Sequence, residues 1–564
     1  MCCKVSIILN TFLNLSLTQR LMAKTKTKTQ AEPTGQLQKS AFLIGGMTII
    51  SSVFGLFRDK LLAHIYGAGD ILDIYYASFR LPDLLFNILI YGGLSSAFVP
   101  IFSQYVAKNK KEAFQLANSI LNLVLIAIIS ISAICFILAP VLMPLIVPGF
   151  SDEKAPGFSR DKLDQTILLT RILLLSPIFL SISGVFSGIL MTYKRFFFYS
   201  LAPIMYNLGI IVGILILAKK YGIYGLGAAV ILGAFLHMLV QLPYAIKCGF
   251  RYIFVLNLKS KTVIKIRNLI IPRSMTLLLN QLNLLVITII GSTLMSGSIS
   301  AYYLAKNIAE IPLTIFGAPF AIAVFADLAF AYNQQKITKF GRIFTQIFNQ
   351  IAYFVIPITV LIIILRAQLI RILYGSGNFN WDDTTLTLSI LGYLALSLFF
   401  QSLLPLLSRA FFAAHDTLTP FISGLIAVGI NIGLALFLVG SMGVKGLALA
   451  FSISQAVNVT IMLTFLHLKV KKIQDHKIVK TMLKITISAL IGGFGAQFIK
   501  YISGTYLGTE TFLTVLIQAA LASLVGLSLY LIISWQLGLR QFQIVYKKVK
   551  RIFSAIGIFN NLSS

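Results

Sequence analysis

Long apolar runs, separated by short polar breaks that carry glycine, proline or charge, fill almost the whole chain beyond residue 40. They fall near 41–65, 74–104, 114–147, 163–191, 198–218, 222–247, 268–296, 299–330, 341–373, 384–412, 419–440, 443–468, 478–503 and 511–537. A helix needs about 20 consecutive apolar residues to cross a bilayer, and these runs meet or exceed that length. The pattern predicts an all-α polytopic membrane protein of about fourteen transmembrane helices.

The runs repeat. Pro203, then Asn207-Leu208-Gly209-Ile210, then Gly222-Ile223-Tyr224-Gly225-Leu226 recur in order as Pro420, Asn431-Ile432-Gly433-Leu434 and Gly443-Val444-Lys445-Gly446-Leu447. The separations are 217, 224 and 221 residues, a drift no larger than a loop. Two pseudo-symmetric lobes of six helices are expected, at 41–248 and 268–468, joined by a loop at 249–267. Two further helices follow within 478–537. A substrate path is expected where the two lobes meet, with one lobe rocking against the other.

Composition agrees with this class. The 564 residues are 57% hydrophobic and only 11% charged, well below the quarter charged in ordinary soluble domains. The 43 Phe and 22 Tyr exclude a disordered chain. The formal charge of +30 could suggest nucleic acid, but the basic residues lie in loops between apolar runs and form no domain of their own. The positive-inside rule accounts for them: Lys108, Lys110, Lys111, Lys194, Arg195, Lys247, Lys336, Lys339, Lys471 and Lys472 fall in alternate loops. The intervening loops carry mainly Asp70, Asp73, Asp152, Glu153, Asp382, Asp383 and Glu510, with Lys219, Lys220, Lys445 and the mixed-charge loop Asp152 to Asp164 as exceptions. With both termini basic, an even helix count with both ends in the cytoplasm is expected.

Residues 1–40 read as a cytoplasmic N-terminal extension. An apolar stretch at 5–17 precedes Lys24, Lys26 and Lys28, the reverse of a signal peptide's order, and Met22 is a candidate start. At the other end, 538–564 alternates Lys and Arg with Phe, Ile and Val at helical spacing. Either a helix on an anionic inner leaflet or a solvated tail fits that pattern.

A charge at the bilayer centre costs at least about 2.5–3.5 kcal/mol, so charges inside the runs mark a cavity or a partner. Arg58 and Asp59, Arg80 and Asp83, Arg171, Arg273, Lys306, Glu310 and Asp327 are such residues. Basic groups slightly outnumber acidic ones, which suits an anionic head group held by forked arginine hydrogen bonds. Pairing between helices is the structural alternative. The four cysteines and five histidines show no metal-ligand or nucleophile spacing, so a transporter and not an enzyme is expected, with no metal and no catalytic residues. There is no glycine-rich phosphate loop, so no cofactor is expected and the driving force is read as membrane potential or an ion gradient.

The residues carrying these charges resemble a known family. Ser51 through Asp59 (Ser-Ser-Val-Phe-Gly-Leu-Phe-Arg-Asp), Tyr66 to Gly69, Asp73, Phe79-Arg80-Leu81-Pro82-Asp83 and Ser96 to Ile101 resemble the opening of the MurJ (MviN) lipid II flippase family. Pro272-Arg273, Asn280 to Asn283, Gly297 to Ser300, Tyr303, Glu310, Ser408-Arg409, Asp416-Thr417 and Thr419-Pro420 continue the resemblance. It implies the MOP exporter fold, a V of two six-helix lobes with two final helices forming a lipid-tail groove. It implies translocation of an undecaprenyl-diphosphate-linked peptidoglycan precursor, lipid II, across the cytoplasmic membrane, with lipid II and membrane lipids as partners, no nucleic acid, and a monomer. On it, Arg58, Asp59 and Asp73 fall on functional positions, Arg80 stands where the family often has a basic residue, and Arg273, Lys306 and Glu310 join them as substrate-binding expectations. Ser52, Phe86, Asn87 and Asn307 stand where the family has arginines, and Tyr91 where it has Glu. A flippase for another polyprenyl-linked saccharide and a non-transporting scaffold are the alternative functions.

Overall fold

The computed structural model describes residues 34–87, 98–156, 158, 161–257 and 278–555, with backbone alone at 34–42 and 548–555. Twenty-one α-helices are described. In the first half these are α1 (Thr34–Tyr66), α2 (Asp70–Ser78), α3 (Arg80–Phe86), α4 (Val99–Lys108), α5 (Lys110–Ile146), α6 (Lys162–Leu173), α7 (Ser176–Thr192), α8 (Phe196–Gly213), α9 (Lys219–Leu239) and α10 (Leu242–Lys247). The second half begins with α11 (Leu278–Ser292). It continues with α12 (Ser298–Pro312), α13 (Ala318–Asn333), α14 (Ile337–Leu373), α15 (Trp381–Ala395), α16 (Leu398–Ala413), α17 (Leu418–Met442) and α18 (Val444–Val470). The helices α19 (Asp475–Leu507), α20 (Phe512–Gln536) and α21 (Arg540–Ala555) close the chain.

Among the described residues nine helical stretches are long and apolar enough to cross a membrane, or ten when α15 and α16, bent by 44°, count as one. The expected fourteen is thus not reached by this measure. Consecutive helices fuse in it: α8 to α10 register as the single stretch Phe196–Lys247, although the backbone reverses at Gly222, and the runs 74–104 and 268–296 include residues outside those described.

The sequence repeat is a repeat of backbone. Gly222 and Gly443 turn the chain with φ 55°, ψ −130° and φ 57°, ψ −140°, values open to glycine because a Cβ would crowd the neighbouring carbonyl. Three residues on, a Cβ on Gly225 would meet the Leu217 carbonyl oxygen at 2.1 Å, and one on Gly446 would meet that of Leu438 at 2.7 Å. The turns before the repeated prolines match too, with Lys194 at φ 55° and His415 at φ 56°. Asn207 of α8 holds α1, and Asn431 of α17 holds α11 through a 3.0 Å bond to Asn283.

The largest buried cluster crosses between the halves, joining Leu62, Leu72 and Tyr75 to Ile299, Tyr302, Tyr303, Tyr374 and Leu391. A second cluster, built on Phe98, Phe102, Phe186 and Phe250, fills the first half alone. Part of the inter-lobe loop is tied down: Asn118 of α5 donates to the Arg251 carbonyl at 2.9 Å and accepts from the Ile253 N–H at 3.1 Å. The final pair packs closely, since a Cβ on Gly492 of α19 would lie 2.6 Å from the Gly526 carbonyl of α20. The tail is helical over Arg540–Ala555, and Leu539, Phe542 and Val545 pack with Tyr353, Ile485 and Tyr530. Gly538, with φ 64°, ends α20 and lets the chain bend into α21.

Helices alternate in direction, so the bundle has two ends. One carries Asp70, Asp152, Asp382, Asp383 and Glu510 in its loops; the other carries Lys108, Lys194, Lys336 and Lys471. They are called the acidic and the basic end below.

Candidate functional site

Arg58 and Asp59 are consecutive on α1, and the long arginine folds back onto its neighbour. Its Nε and Nη2 donate to Asp59 Oδ1 at 3.0 and 2.8 Å, and its Nη1 donates to Asn207 Oδ1 at 3.1 Å. Asn207 is itself fixed by donating to the carbonyls of Ser51 at 3.3 Å and Pro203 at 3.2 Å. The free oxygen of Asp59, Oδ2, accepts from Asn307 Nδ2 of α12 at 2.8 Å. A single buried carboxylate therefore connects the two halves.

Arg80 lies at the break between α2 and α3, where Pro82 removes an amide donor from the first turn of α3. Its Nε donates to the Tyr76 carbonyl at 3.2 Å, its Nη2 is 3.5 Å from Asp83, and its guanidinium covers the Tyr303 ring at 4.7 Å. Tyr303, from the other half, stacks on Tyr76 at 5.1 Å. The Nη1 of Arg80 is buried with no hydrogen-bond partner among the described residues. A buried guanidinium donor left unmatched costs free energy until an oxygen reaches it.

Lys306 and Glu310 pair one helical turn apart on α12. Asp83 lies within coulombic reach of Arg80, Lys306 and Arg58. The side chains of Asp83 and Glu310 are 38% and 41% exposed, so neither pair is sealed in the core. The expected excess of positive charge takes a different form here: Arg58, Arg80 and Lys306 each have an acidic partner. Arg171 leaves the set, donating to the Phe136 carbonyl at 3.0 Å with its guanidinium over the Phe136 ring. Arg273 lies outside the described residues.

Asp73 is not in this cluster but at the acidic end, buried between the halves. Helix α12 starts after Gly297, a left-handed residue with φ 86° and no capping side chain of its own. Asp73 supplies the cap from the other half, accepting from the Gly297 N–H and the Ser300 N–H at 2.8 Å each. Lys162, buried at the start of α6, bridges Asp70 at 2.5 Å and Asp73 at 3.3 Å. Asp70 also accepts from Ser296 Oγ at 2.5 Å.

The loop after α1 closes the same end. Asp383 accepts from the Ala68 N–H at 3.0 Å, the Asn378 N–H donates to the His64 carbonyl at 2.9 Å, and Asn378 Nδ2 donates to the Ile65 carbonyl at 2.5 Å. Lys60 donates to the Ile372 carbonyl at 3.1 Å. The fit is tight enough that a Cβ on Gly297 would lie 2.0 Å from the Ala68 carbonyl. Every one of these contacts joins one half to the other, so separating the halves at this end would break them together.

Sequence reading brought out Arg58, Asp59, Arg80, Lys306 and Glu310, which the fold assembles, and Asp73, which it places in the gate. Lys162, Asn207 as an arginine ligand, Asn307 as a partner of Asp59, and Tyr76 with Tyr303 were not legible as site residues. The one available signal was a lysine in an otherwise acidic-end loop. Among the described residues no cluster of His, Cys, Asp or Glu could hold a metal ion.

Comparison with known proteins places this geometry. A family model described as "Lipid II flippase MurJ" matches residues 62–517. A protein of Rhizobium tropici named "Probable lipid II flippase MurJ" is 27% identical over 531 residues, covering 91% of this chain and 97% of its own. One of the same name from Thermotoga maritima is 29% identical, covering 80% of this chain and 88% of its own. A solved lipid II flippase MurJ in an inward closed conformation superposes with a TM-score of 0.71 at 28% identity, over 87% of this chain and 98% of that one. An inward-facing MATE multidrug transporter of the MOP superfamily shares the fold, with a TM-score of 0.61 at 17% identity over 75% of this chain and 96% of its own. A charged cluster spanning two repeated halves, shut at one end, thus occurs in a chain that belongs to the lipid II flippase MurJ family.

Proposed function

We infer that this protein is a lipid II flippase that moves its substrate by alternating access, with both termini in the cytoplasm. The acidic end then faces outward, as the loop charges require. The observation that carries the mechanism is the position of the contacts. The end holding Asp73 is closed by hydrogen bonds between the halves, while Asp59, Arg80 and Lys306 sit deeper along the same seam.

In this state the diphosphate of lipid II enters from the basic side. Arg80 offers it an unmatched donor, and Lys306 and Arg58 lie within reach once their acidic partners, the exposed Glu310 and the buried Asp59, yield. The polyprenyl tail stays in lipid. Opening outward breaks the Asp73 cap and its companions, each hydrogen bond to a charged group contributing about 1.5–3 kcal/mol. A membrane potential acting on the charged seam, about 2.3 kcal/mol per charge per 100 mV, is of the size needed to bias that equilibrium. One chain holds both halves of the path, so a monomer suffices.

The test is complementation of cells depleted of their own lipid II flippase, with membrane expression measured alongside. Rescue by the wild type and failure of Arg58→Ala at equal expression is the expected result. Failure of the wild type despite good expression would overturn the lipid II assignment and favour another polyprenyl-linked saccharide.

A further inference from the structure

Two cations far from the central cluster have no acidic partner. Arg366 of α14 lies across Gly392 of α15: a Cβ there would meet its Nη1 at 3.2 Å and its Cδ at 3.4 Å. Lys500 of α19 donates from Nζ to the Ile364 carbonyl of α14 at 2.8 Å. The two charges are close enough to repel one another. Both are half-buried, and neither forms an ion pair among the described residues.

Their depth is informative. Helix α14 has 37 residues and α19 has 33, lengths of about 55 and 50 Å against a hydrocarbon core of about 30 Å. Both helices therefore overrun the core by roughly 10 Å at each end. Arg366 and Lys500 each precede their helix's last residue, Leu373 and Leu507, by about two turns, or roughly 10 Å. Centred on the core, that puts their Cα atoms near the edge of the hydrocarbon at the acidic end, with lipid phosphates within reach of their long side chains. Tyr501 beside Lys500, and Tyr506 and Trp381 farther toward the helix ends, are exposed by 73%, 85% and 62%, residue types enriched where helices leave the hydrocarbon. The positive-inside rule would keep cations away from this end, and repulsion makes an adjacent pair costlier still.

We propose that Arg366 and Lys500 bind the phosphate of a lipid headgroup in the leaflet at the acidic end, in the furrow on α14 between α15 and α19. A forked guanidinium and a point-charge ammonium complement a phosphate's oxygens, and the anion removes the repulsion between them. Two lipids present this chemistry: a resident anionic phospholipid and a polyprenyl diphosphate carried across. Only the name of the leaflet, outer, rests on the function inferred above; the site itself does not.

The experiment measures lipid retention by the full-length protein in detergent, by native mass spectrometry. Phosphatidylglycerol is titrated, then competed with undecaprenyl diphosphate. Arg366→Gln with Lys500→Gln should hold phosphatidylglycerol about tenfold more weakly, the loss expected for one charge-assisted hydrogen bond of about 1.4 kcal/mol. The charge-conserving pair Arg366→Lys with Lys500→Arg should bind within a few-fold of wild type, which separates lost charge from lost folding. Displacement by undecaprenyl diphosphate supports a site shared with exported lipid, and binding without displacement supports a resident phospholipid. Equal retention of both lipids by wild type and the glutamine variant overturns the proposal. Flipping is not read in this assay, so its outcome is independent of the transport assignment.

Discussion

Asp73 shows how much one side chain can carry. Its two oxygens satisfy amide donors at the start of a helix in the other half, and its charge is balanced by Lys162. Replacing it by Asn keeps the shape but weakens both acceptors and leaves Lys162 with Asp70 alone. Asp73→Asn should therefore shift the protein toward opening at the acidic end, read as faster labelling of a cysteine placed at Ser300 by a membrane-impermeant reagent. Unchanged labelling would exclude this role. Asp416 makes a separate case outside the spanning helices. Burial opposes its ionisation, but hydrogen bonds from Lys469 and Thr419 outweigh this and hold its carboxyl below the ordinary value of 3.8. Because the folded value is lowered, the stabilisation is present above 3.8 and is lost as pH falls through the lowered value. Asp416→Asn should lower the melting temperature slightly at pH 7, and that gap should close as pH falls through the lowered value. A gap independent of pH would refute the charge argument.

At the scale of elements, helix spacing depends on where side chains are missing. Gly213 of α8 faces Ala229 of α9 so closely that a new Cβ would lie 2.4 Å from the alanine's, whereas Gly433 of α17 has nothing within 4 Å. Gly213→Ala should lower thermal stability by forcing α8 and α9 apart, at a cost of about 1–3 kcal/mol. Gly433→Ala should be neutral or stabilise by about 0.4–1 kcal/mol, through helix propensity and a less flexible unfolded chain. Melting curves of the two variants in one detergent compare them directly. The sequence shows Asn207-x-Gly209 and Asn431-x-Gly433 as equals. The structure separates them: a Cβ on Gly209 would lie 2.7 Å from Gly233 Cα, while one on Gly433 would meet nothing within 4 Å among the described residues.

On the scale of the whole molecule, closure at the acidic end is a property of the two halves together. His64 Nδ1 and Ser376 Oγ, 3.1 Å apart, join them near the mouth. A His64→Cys, Ser376→Cys pair oxidised to a disulfide should hold that end shut and stop transport, and reduction should restore it. Transport that continues at full rate in the cross-linked protein would exclude opening at this end. The single variants His64→Cys and Ser376→Cys give the baseline, since neither residue belongs to the central charged cluster.

Sequence alone determined the helices, because bilayer crossing imposes a length and an apolarity that local residues satisfy by themselves. It also determined the repeat, because a glycine that must turn with positive φ is fixed by its own backbone, as at Gly222 and Gly443. It marked Arg58, Asp59, Arg80 and Lys306 because charge in an apolar run is costly wherever it ends up. The tertiary structure decided what each charge meets. Asn307 reaches Asp59 across 248 positions, and Asp73 caps a helix that begins 225 residues later. Periodicity is a local signal and says nothing about which faces oppose one another; that follows from packing the two halves, which also sent Arg171 to Phe136 and Asp73 to the gate.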